Sequence, residues 1–184
     1  LMQLHEVDVT VTSITCDGAA SNQAMFNELG ATISPSKMKT YFAHPSDTNS
    51  KVYLLLDVCH MLKLMRNTMA SQTIYNGDKQ EIKWSFIKTL HEIQQESLRA
   101  GNKLRTAHID WQKQKMKVNL AAQTLSSSVA DALEFCKQNS IDGFENSEAT
   151  IDFLRKIDHL FDILNSRNPI AKNYKAPMRP TNRH

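Results

Sequence analysis

The chain has 184 residues, a net charge of +3 and 41% hydrophobic residues. This composition is typical of a soluble globular protein with one or two small domains, and no apolar stretch approaches the ~20 residues that cross a bilayer. We therefore expect no membrane partner, while the modest charge permits contact with nucleic acid without requiring it. The chain begins at Leu1 without a signal-peptide pattern, so we expect a piece cut from a longer protein.

Strand and helix patterns alternate in the first third of the chain. Residues 7–15 alternate β-branched and polar side chains and residues 51–56 form a short apolar run, so both are predicted strands. Between them, residues 21–29 are a predicted helix that Gly30 ends. The segment 35–50 contains two prolines and many polar residues, which predicts a loop.

The pattern becomes helical after Asp57. Helices are predicted from residue 61 onward and over the ranges 84–99, 103–116, 121–138 and 147–166. The tail from Asn168 contains three prolines and is predicted to be extended. The predicted fold class is an α/β fragment followed by a mostly α-helical region, with domains at residues 1–60 and 61–184.

The three cysteines, Cys16, Cys59 and Cys136, lack short pairing spacings, which is typical of reduced thiols inside a cell. A zinc site formed by Cys59, His60 and His44 is an alternative. It has no C-x-x-C pair to support it, and zinc needs three or four ligands at recognisable spacing. We therefore favour reduced thiols.

Two aspartates, Asp17 and Asp57, each follow a predicted strand. Catalytic groups gather at the carboxyl ends of strands in open α/β sheets, and a carboxylate there can hold Mg²⁺ for phosphodiester chemistry. Two ordinary interpretations stay open. Asp-Gly after a strand is a common turn, and Asp57 could cap the helix that follows it.

Several sequence blocks, in order along nearly the whole chain, resemble the P-element-type DNA transposases and their THAP-domain-associated relatives. These blocks are Leu4-His5-Glu6, Thr15-Cys16-Asp17-Gly18 with Asn22, Asp57-Val58-Cys59-His60-Met61-Leu62-Lys63-Leu64, Arg66-Asn67, Leu120-Ala121-Ala122-Gln123-Thr124-Leu125-Ser126, Ser128-Val129-Ala130, Ala132-Leu133 and Phe161-Asp162-Ile163-Leu164-Asn165-Ser166-Arg167-Asn168. The resemblance implies a partial RNase H-like core, which in the family carries two aspartates and a glutamate. It also implies a helical GTP-binding domain inserted between the second aspartate and the glutamate.

The resemblance further implies a nuclear, metal-dependent enzyme that cleaves and joins transposon-end DNA as a homo-oligomer, with Mg²⁺ at its carboxylates and GTP as an assembly cofactor. Asp17 resembles the second catalytic aspartate and is the expected metal ligand. Asp57 is the rival assignment for that aspartate, and we favour Asp17. The family's first aspartate would precede Leu1, and its glutamate would follow His184.

The nucleotide site also rests on the resemblance, because the chain has no G-x-x-x-x-G-K-[ST] sequence. Phe161, Asp162 and Asn165 resemble the base-recognition group. A carboxylate can accept from both N1–H and the exocyclic amine of guanine, whereas adenine has no such adjacent donors. Lys117 and Val118 resemble a second contact. The remaining candidates are Lys103 for the phosphates and a hydroxyl from residues 126–128.

The alternatives to these roles are structural. Phe161 lies on an apolar stripe and would pack in the core, while Asp162, Asn165 and Lys117 would be solvated helix residues. The basic stretch 103–117 could instead contact DNA phosphates. The competing functions are therefore a domesticated, non-catalytic nucleotide- or DNA-binding module and a helical interaction domain without a ligand.

We predict that this chain alone does not cleave DNA, because a two-metal site with one ligand of three should not hold its ions well. The measurement is strand cleavage of DNA by the purified chain with and without Mg²⁺. Mg²⁺-dependent cleavage that Asp17→Ala abolishes would contradict the prediction.

Overall fold

A computed structural model describes residues 1–34, 36–96, 102–179 and 181. The chain divides into two compact units, Leu1–Met61 and Leu62–His184. The first unit is built around a small sheet and the second is mostly helical.

The first unit begins with helix α1 and ends with a long strand that leads into a helix. Its elements are α1 (Met2–His5), β1 (Ser13–Cys16), α2 (Ala20–Glu28), β2 (Thr32–Ser34), β3 (Lys37–Lys39), β4 (Tyr41–His44) and β5 (Asp47–Leu56). Strand β5 lies between β1, to which it is parallel, and β4, to which it is antiparallel. Strands β2 and β3 form a separate antiparallel pair.

One face of this sheet forms the core of the first unit. Val52 and Leu54 point inward from β5 and are buried together with Phe42 of β4 and Phe26 of α2. The alternate residue Leu55 is exposed, because successive side chains of a strand point to opposite faces. Each fully buried side chain of this kind stabilises the fold by roughly 1.5–3 kcal/mol.

The second unit contains helices joined by short connections and one small β-hairpin. Its elements, starting at the helix that crosses the boundary, are α3 (Val58–Ser71), β6 (Ile74–Tyr75), β7 (Glu81–Ile82), α4 (Ser85–Glu96), α5 (Thr106–Ile109), a 3-10 helix (Trp111–Gln114), α6 (Val118–Thr124), α7 (Ser127–Gln138), α8 (Glu148–Leu164) and a second 3-10 helix (Asn173–Lys175). Leu90, Leu133 and Leu154, from α4, α7 and α8, are completely buried in one core.

Packing of α7 against α8 is reinforced by charge. The Arg155 guanidinium of α8 binds the carboxylates of Asp131 and Glu134 on α7. Both acidic residues raise the pKa of Arg155 above its ordinary value through hydrogen bonds, with Glu134 the larger cause. In the described part of the chain, no helix has the length and apolar character needed to cross a membrane.

The structure corrects two predictions in the first unit. Strand β1 covers only the last part of the predicted strand 7–15. The predicted loop 35–50 is wrong, since β3, β4 and the start of β5 lie within it and Pro45 occupies the turn of the β4–β5 hairpin. A proline in a turn is compatible with strands on either side of it. Pro35 lies outside the described residues.

Two predicted helices of the second unit are each broken in two. The range 103–116 contains α5 and the first 3-10 helix, and the range 121–138 contains α6 and α7. The second break occurs where Ser126 has extended backbone angles, φ −115 and ψ 155. Serine favours this position because it competes with helical hydrogen bonding.

The remaining helices agree with prediction more closely. Helices α2, α3 and α8 occupy the predicted ranges within a few residues, while residues 97–99 of the predicted helix 84–99 lie outside the described residues. The hairpin β6–β7 was not predicted. The tail, predicted to be extended, contains the short 3-10 helix at Asn173–Lys175.

We predict that Leu154→Ala lowers the free energy of unfolding by about 2–5 kcal/mol, because it opens a cavity in the core of the second unit. Leu160→Ala on the same helix is the matched control. Leu160 is 49% exposed whereas Leu154 is 0% exposed, so its truncation should change stability by no more than about 0.5 kcal/mol. Urea denaturation measures both, and equal losses would contradict the packing described.

Candidate functional site

The two strand-end aspartates lie beside each other in the first unit. Cys16 of β1 pairs in register with Leu56 of β5, and these strands are parallel. Asp17 and Asp57 therefore each follow the last residue of one of two adjacent strands, at the same edge of the sheet. The Asp57 N–H donates to the Cys16 carbonyl at 2.8 Å, which extends this pairing by one residue.

Local hydrogen bonds orient both carboxylates. Asp17 Oδ1 accepts from Asn22 Nδ2 at 2.7 Å and from the Ala19 N–H at 3.1 Å. Asp57 Oδ1 accepts from the Cys59 N–H at 3.0 Å, which is the bond made by a residue that caps a helix. The predicted capping role of Asp57 is thus present. Among the described residues, no hydrogen bond is made to the second carboxylate oxygen of either aspartate.

No group of three or more His, Cys, Asp or Glu side chains arranged to hold a metal ion occurs among the described residues. The alternative of a zinc site formed by Cys59, His60 and His44 is therefore not assembled in the described structure. Burial, followed by the negative charge of Asp17, raises the pKa of the Cys16 thiol. The sulfur therefore favours its protonated form, which is a poor metal ligand.

The second unit has an open pocket of about 340 Å³ at the last turns of α8. Its walls come from the start of α7, from α8 and from the short 3-10 helix near the C-terminal end. The lining residues are Ser127, Asp158, His159, Asp162, Lys172, Asn173, Tyr174 and Lys175. This volume is within the range of ~300–1,000 Å³ that small-molecule sites occupy.

The environment of Asp162 in this pocket changes the pKa of its carboxyl. Burial raises the pKa of its carboxyl above the ordinary value, and the charge of Asp158 adds to this effect while Lys175 and His159 oppose it. Lys175 Nζ lies 3.8 Å from Asp162 Oδ2, which is beyond hydrogen-bonding distance. The carboxylate is therefore only partly compensated and would gain from additional donors.

Two contacts hold the walls of the pocket in place. Asp158 Oδ2 accepts from the N–H of Ser127 at 3.0 Å and from its hydroxyl at 2.6 Å. The rings of His159 and Tyr174 stack, with centroids 3.9 Å apart and planes inclined by 15°. The first contact ties α8 to the start of α7, and the second ties α8 to the 3-10 helix.

The predicted nucleotide-binding residues do not all line this pocket. Of these residues, Asp162 lines the pocket. Phe161 is partly buried against the core of the unit, and Asn165 ends α8, where its N–H donates to the Phe161 carbonyl. Lys117 precedes α6 and is exposed, while Val118 is its first residue and packs against the core.

Lys103 is exposed in the irregular segment before α5, and it does not line the pocket either. Among the three serines, Ser127 is the one at the pocket. The sequence reasoning missed Asp158 and the residues of the second 3-10 helix. Asp158 lies four residues before Asp162, and this helical spacing could have predicted that both line one site. No sequence pattern predicted that the tail folds back to bring the second 3-10 helix to the pocket.

The chain is similar to DNA transposases. It is 33% identical over 178 residues to human DNA transposase THAP9, covering 97% of this chain and 20% of that protein. It is 32% identical over 168 residues to the Drosophila melanogaster transposable element P transposase, covering 91% of this chain and 22% of that protein. The chain thus spans about a fifth of the length of these two curated relatives.

A solved structure, the Drosophila P element transposase strand transfer complex, contains a chain with the same fold. The TM-score is 0.82 at 30% identity, and the match covers 94% of this chain and 38% of that one. Residues 59–177 match the family described as TNP-like, GTP-binding insertion domain, and the chain belongs to this family. The resemblance to P-element-type transposases predicted from the sequence is confirmed.

We predict that Asp162→Asn increases the stability of the protein at pH 7. A carboxyl whose pKa is raised by folding stabilises the native state when protonated, and that contribution is lost as the pH rises through the folded pKa. The neutral amide introduced by this substitution does not carry the charge that destabilises the fold at pH 7. The difference in free energy of unfolding between the variant and the unaltered chain should therefore vanish below about pH 3, where Asp162 is protonated in both the folded and the unfolded state.

Denaturant unfolding as a function of pH measures this effect. Asp152→Asn is the matched control, because Asp152 is exposed on the same helix and the substitution makes the same change in charge. The control should alter stability by no more than about 0.5 kcal/mol. A loss of stability in Asp162→Asn at pH 7 would refute the conclusion that burial raises the pKa of Asp162 more than the charge of Lys175 lowers it.

Proposed function

We propose that this chain is part of a P-element-like DNA transposase, in which the helical unit binds GTP as an assembly cofactor. The α/β unit would contribute to an RNase H-like core that carries out metal-dependent DNA strand cleavage and transfer. The observation that carries the nucleotide part is the partly buried, incompletely compensated carboxylate of Asp162 in an open pocket. Family membership supports it independently.

Asp162 would select guanine through two hydrogen bonds. Its carboxylate can accept from the N1–H and the exocyclic amine, and adenine does not have this pair of donors. These donors would stabilise the charged form that burial now disfavours. Because Lys175 lies 3.8 Å away, the base can approach without first displacing a hydrogen bond from that lysine.

The other nucleotide contacts are proposed from the family resemblance. Phe161 and Asn165 flank it near the end of α8, so in this proposal Asn165 supplies an amide and Phe161 supports the base in addition to packing in the core. Lys117 and Lys103 are exposed and would contact phosphates, with Val118 offering its backbone. Charge on the phosphates favours such lysine contacts.

The strand-end carboxylates fit a magnesium site in their chemistry. Mg²⁺ is usually bound by one or two protein carboxylates together with water and substrate oxygens, and Asp17 and Asp57 follow adjacent parallel strands. When bound, the ion would activate the attacking oxygen for phosphodiester cleavage. Asn22, by holding one oxygen of Asp17, would leave the other directed for the metal.

Partners and location are part of the same proposal. The two curated relatives are DNA transposases, and the matched solved structure is a strand transfer complex. We therefore propose that the full-length protein binds transposon-end DNA in the nucleus as a homo-oligomer. The present chain would supply its GTP-binding domain and part of its catalytic sheet.

We predict that the 184-residue chain binds GTP in preference to ATP, and that Asp162→Asn weakens GTP binding by about 10- to 100-fold, as expected for loss of a charged hydrogen-bond acceptor. The same variant should gain affinity for xanthosine triphosphate, because the C2 oxygen of xanthine can accept from the new amide. Isothermal titration calorimetry with the three nucleotides provides the measurement.

Asp152→Asn again serves as the control, since it changes the same charge on an exposed part of α8. It should leave GTP affinity and the preference over ATP unchanged. Equal binding of GTP and ATP by the unaltered chain would overturn the proposed guanine site. Loss of GTP binding in Asp162→Asn without a gain for xanthosine triphosphate would show that Asp162 does not read the base edge.

A further inference from the structure

Arg66 of α3 is a charged residue in the interior of the second unit. Its side chain is 0% exposed, and none of the ion pairs formed by the described residues includes it. Burial lowers the pKa of its guanidinium. Buried arginines are normally paired with an acidic group, so this residue needs a different explanation.

The guanidinium of Arg66 binds backbone carbonyls instead of a carboxylate. Nη2 donates to the carbonyl of Gln114 at 3.0 Å and to that of Lys115 at 3.3 Å. Nε donates to Asn67 Oδ1 at 2.7 Å, which fixes the plane of the group. Arg66 thus anchors the end of the 3-10 helix, whose first residue, Trp111, is anchored separately in the core.

The carbonyl of Gln114 connects Arg66 directly to Lys117. It also accepts from the Lys117 N–H at 3.0 Å, and the Lys117 carbonyl in turn accepts from the Ala121 N–H at 3.2 Å at the start of α6. One oxygen therefore receives both the guanidinium of Arg66 and the backbone of Lys117. A shift of that oxygen would move Lys117 and the beginning of α6 with it.

We propose that Arg66 is a positioning residue for nucleotide binding, which acts by fixing the backbone at Lys117 and Val118. This inference rests on the proposed function, in which those two residues contact GTP. Arginine can donate from Nη2 to both carbonyls while its Nε is held by Asn67, whereas lysine has a single nitrogen and cannot make both sets of bonds in this geometry. Arg66 itself is buried and does not touch the nucleotide.

The test compares Arg66→Lys, Arg66→Met and Asn67→Ala in the full 184-residue chain. Asn67→Ala keeps the charge and loosens only the orientation of the guanidinium, so it remains informative where Arg66→Met does not fold. Thr150→Val is the matched control. Thr150 is also completely buried and accepts a hydrogen bond from the Lys83 N–H at 3.0 Å, remote in sequence from Lys117.

Two measurements are made on each variant. Amide hydrogen exchange at residues 115–118 should accelerate by about 10-fold or more in the Arg66 and Asn67 variants and stay unchanged in Thr150→Val. GTP affinity measured by calorimetry should fall about 10-fold in Arg66→Lys. In a Lys117→Met background, Arg66→Lys should lower GTP affinity by less than about 2-fold, because the effects of two coupled residues are not additive.

The outcomes separate the inference from the proposed function. Absence of GTP preference in the unaltered chain overturns the proposed function and the nucleotide role of Arg66 with it. If the unaltered chain binds GTP and the Arg66→Lys effect is the same with and without Lys117, the positioning role is wrong while the guanine site stands. Unchanged exchange at residues 115–118 in Arg66→Lys and Asn67→Ala also overturns it.

Discussion

The hydrogen bonds from Ser127 to the Asp158 carboxylate join the start of α7 to α8 in the second unit. They satisfy the free N–H at the start of α7, which Ser126 does not cap with its own side chain. They also fix α7 against the middle of α8, so that the next turn of α8 places Asp162 in the pocket. Helix packing and the shape of the pocket therefore depend on the same carboxylate.

Polar groups hold two other segments of this unit in a similar way. Arg66 binds the carbonyls that end the 3-10 helix before Lys117, and the Ser166 hydroxyl donates to the Lys175 carbonyl at 2.6 Å. Arg66 lies on α3 and Ser166 just after the end of α8, and each side chain satisfies backbone carbonyls of a separate segment. Lys117 directly follows the first of these segments, and Lys175, which lines the pocket together with Asp162, belongs to the second.

The sequence predicted the amphipathic helices α3 and α8 well, because their apolar spacing is strong and local. It failed at residues 103–138. One break lies at Asp110, between α5 and the 3-10 helix, and the break before Ser127 is stabilised by the Asp158 carboxylate from a distant part of the chain. Within the candidate site, Asp162 was predicted from the family resemblance and not from a pattern of residues. Tyr174 and Lys175 were missed, since nothing local indicates that a proline-containing tail folds back onto α8.

The parallel pairing of β1 with β5 has a consequence for the order in which the first unit assembles. The β4–β5 hairpin closes across the short turn at Pro45, whereas Cys16 must meet Leu56 across a long intervening segment. Loop closure of that length costs more chain entropy and is slower. Chain entropy therefore favours closing the hairpin before the pairing of β1 with β5 makes Asp17 and Asp57 neighbours.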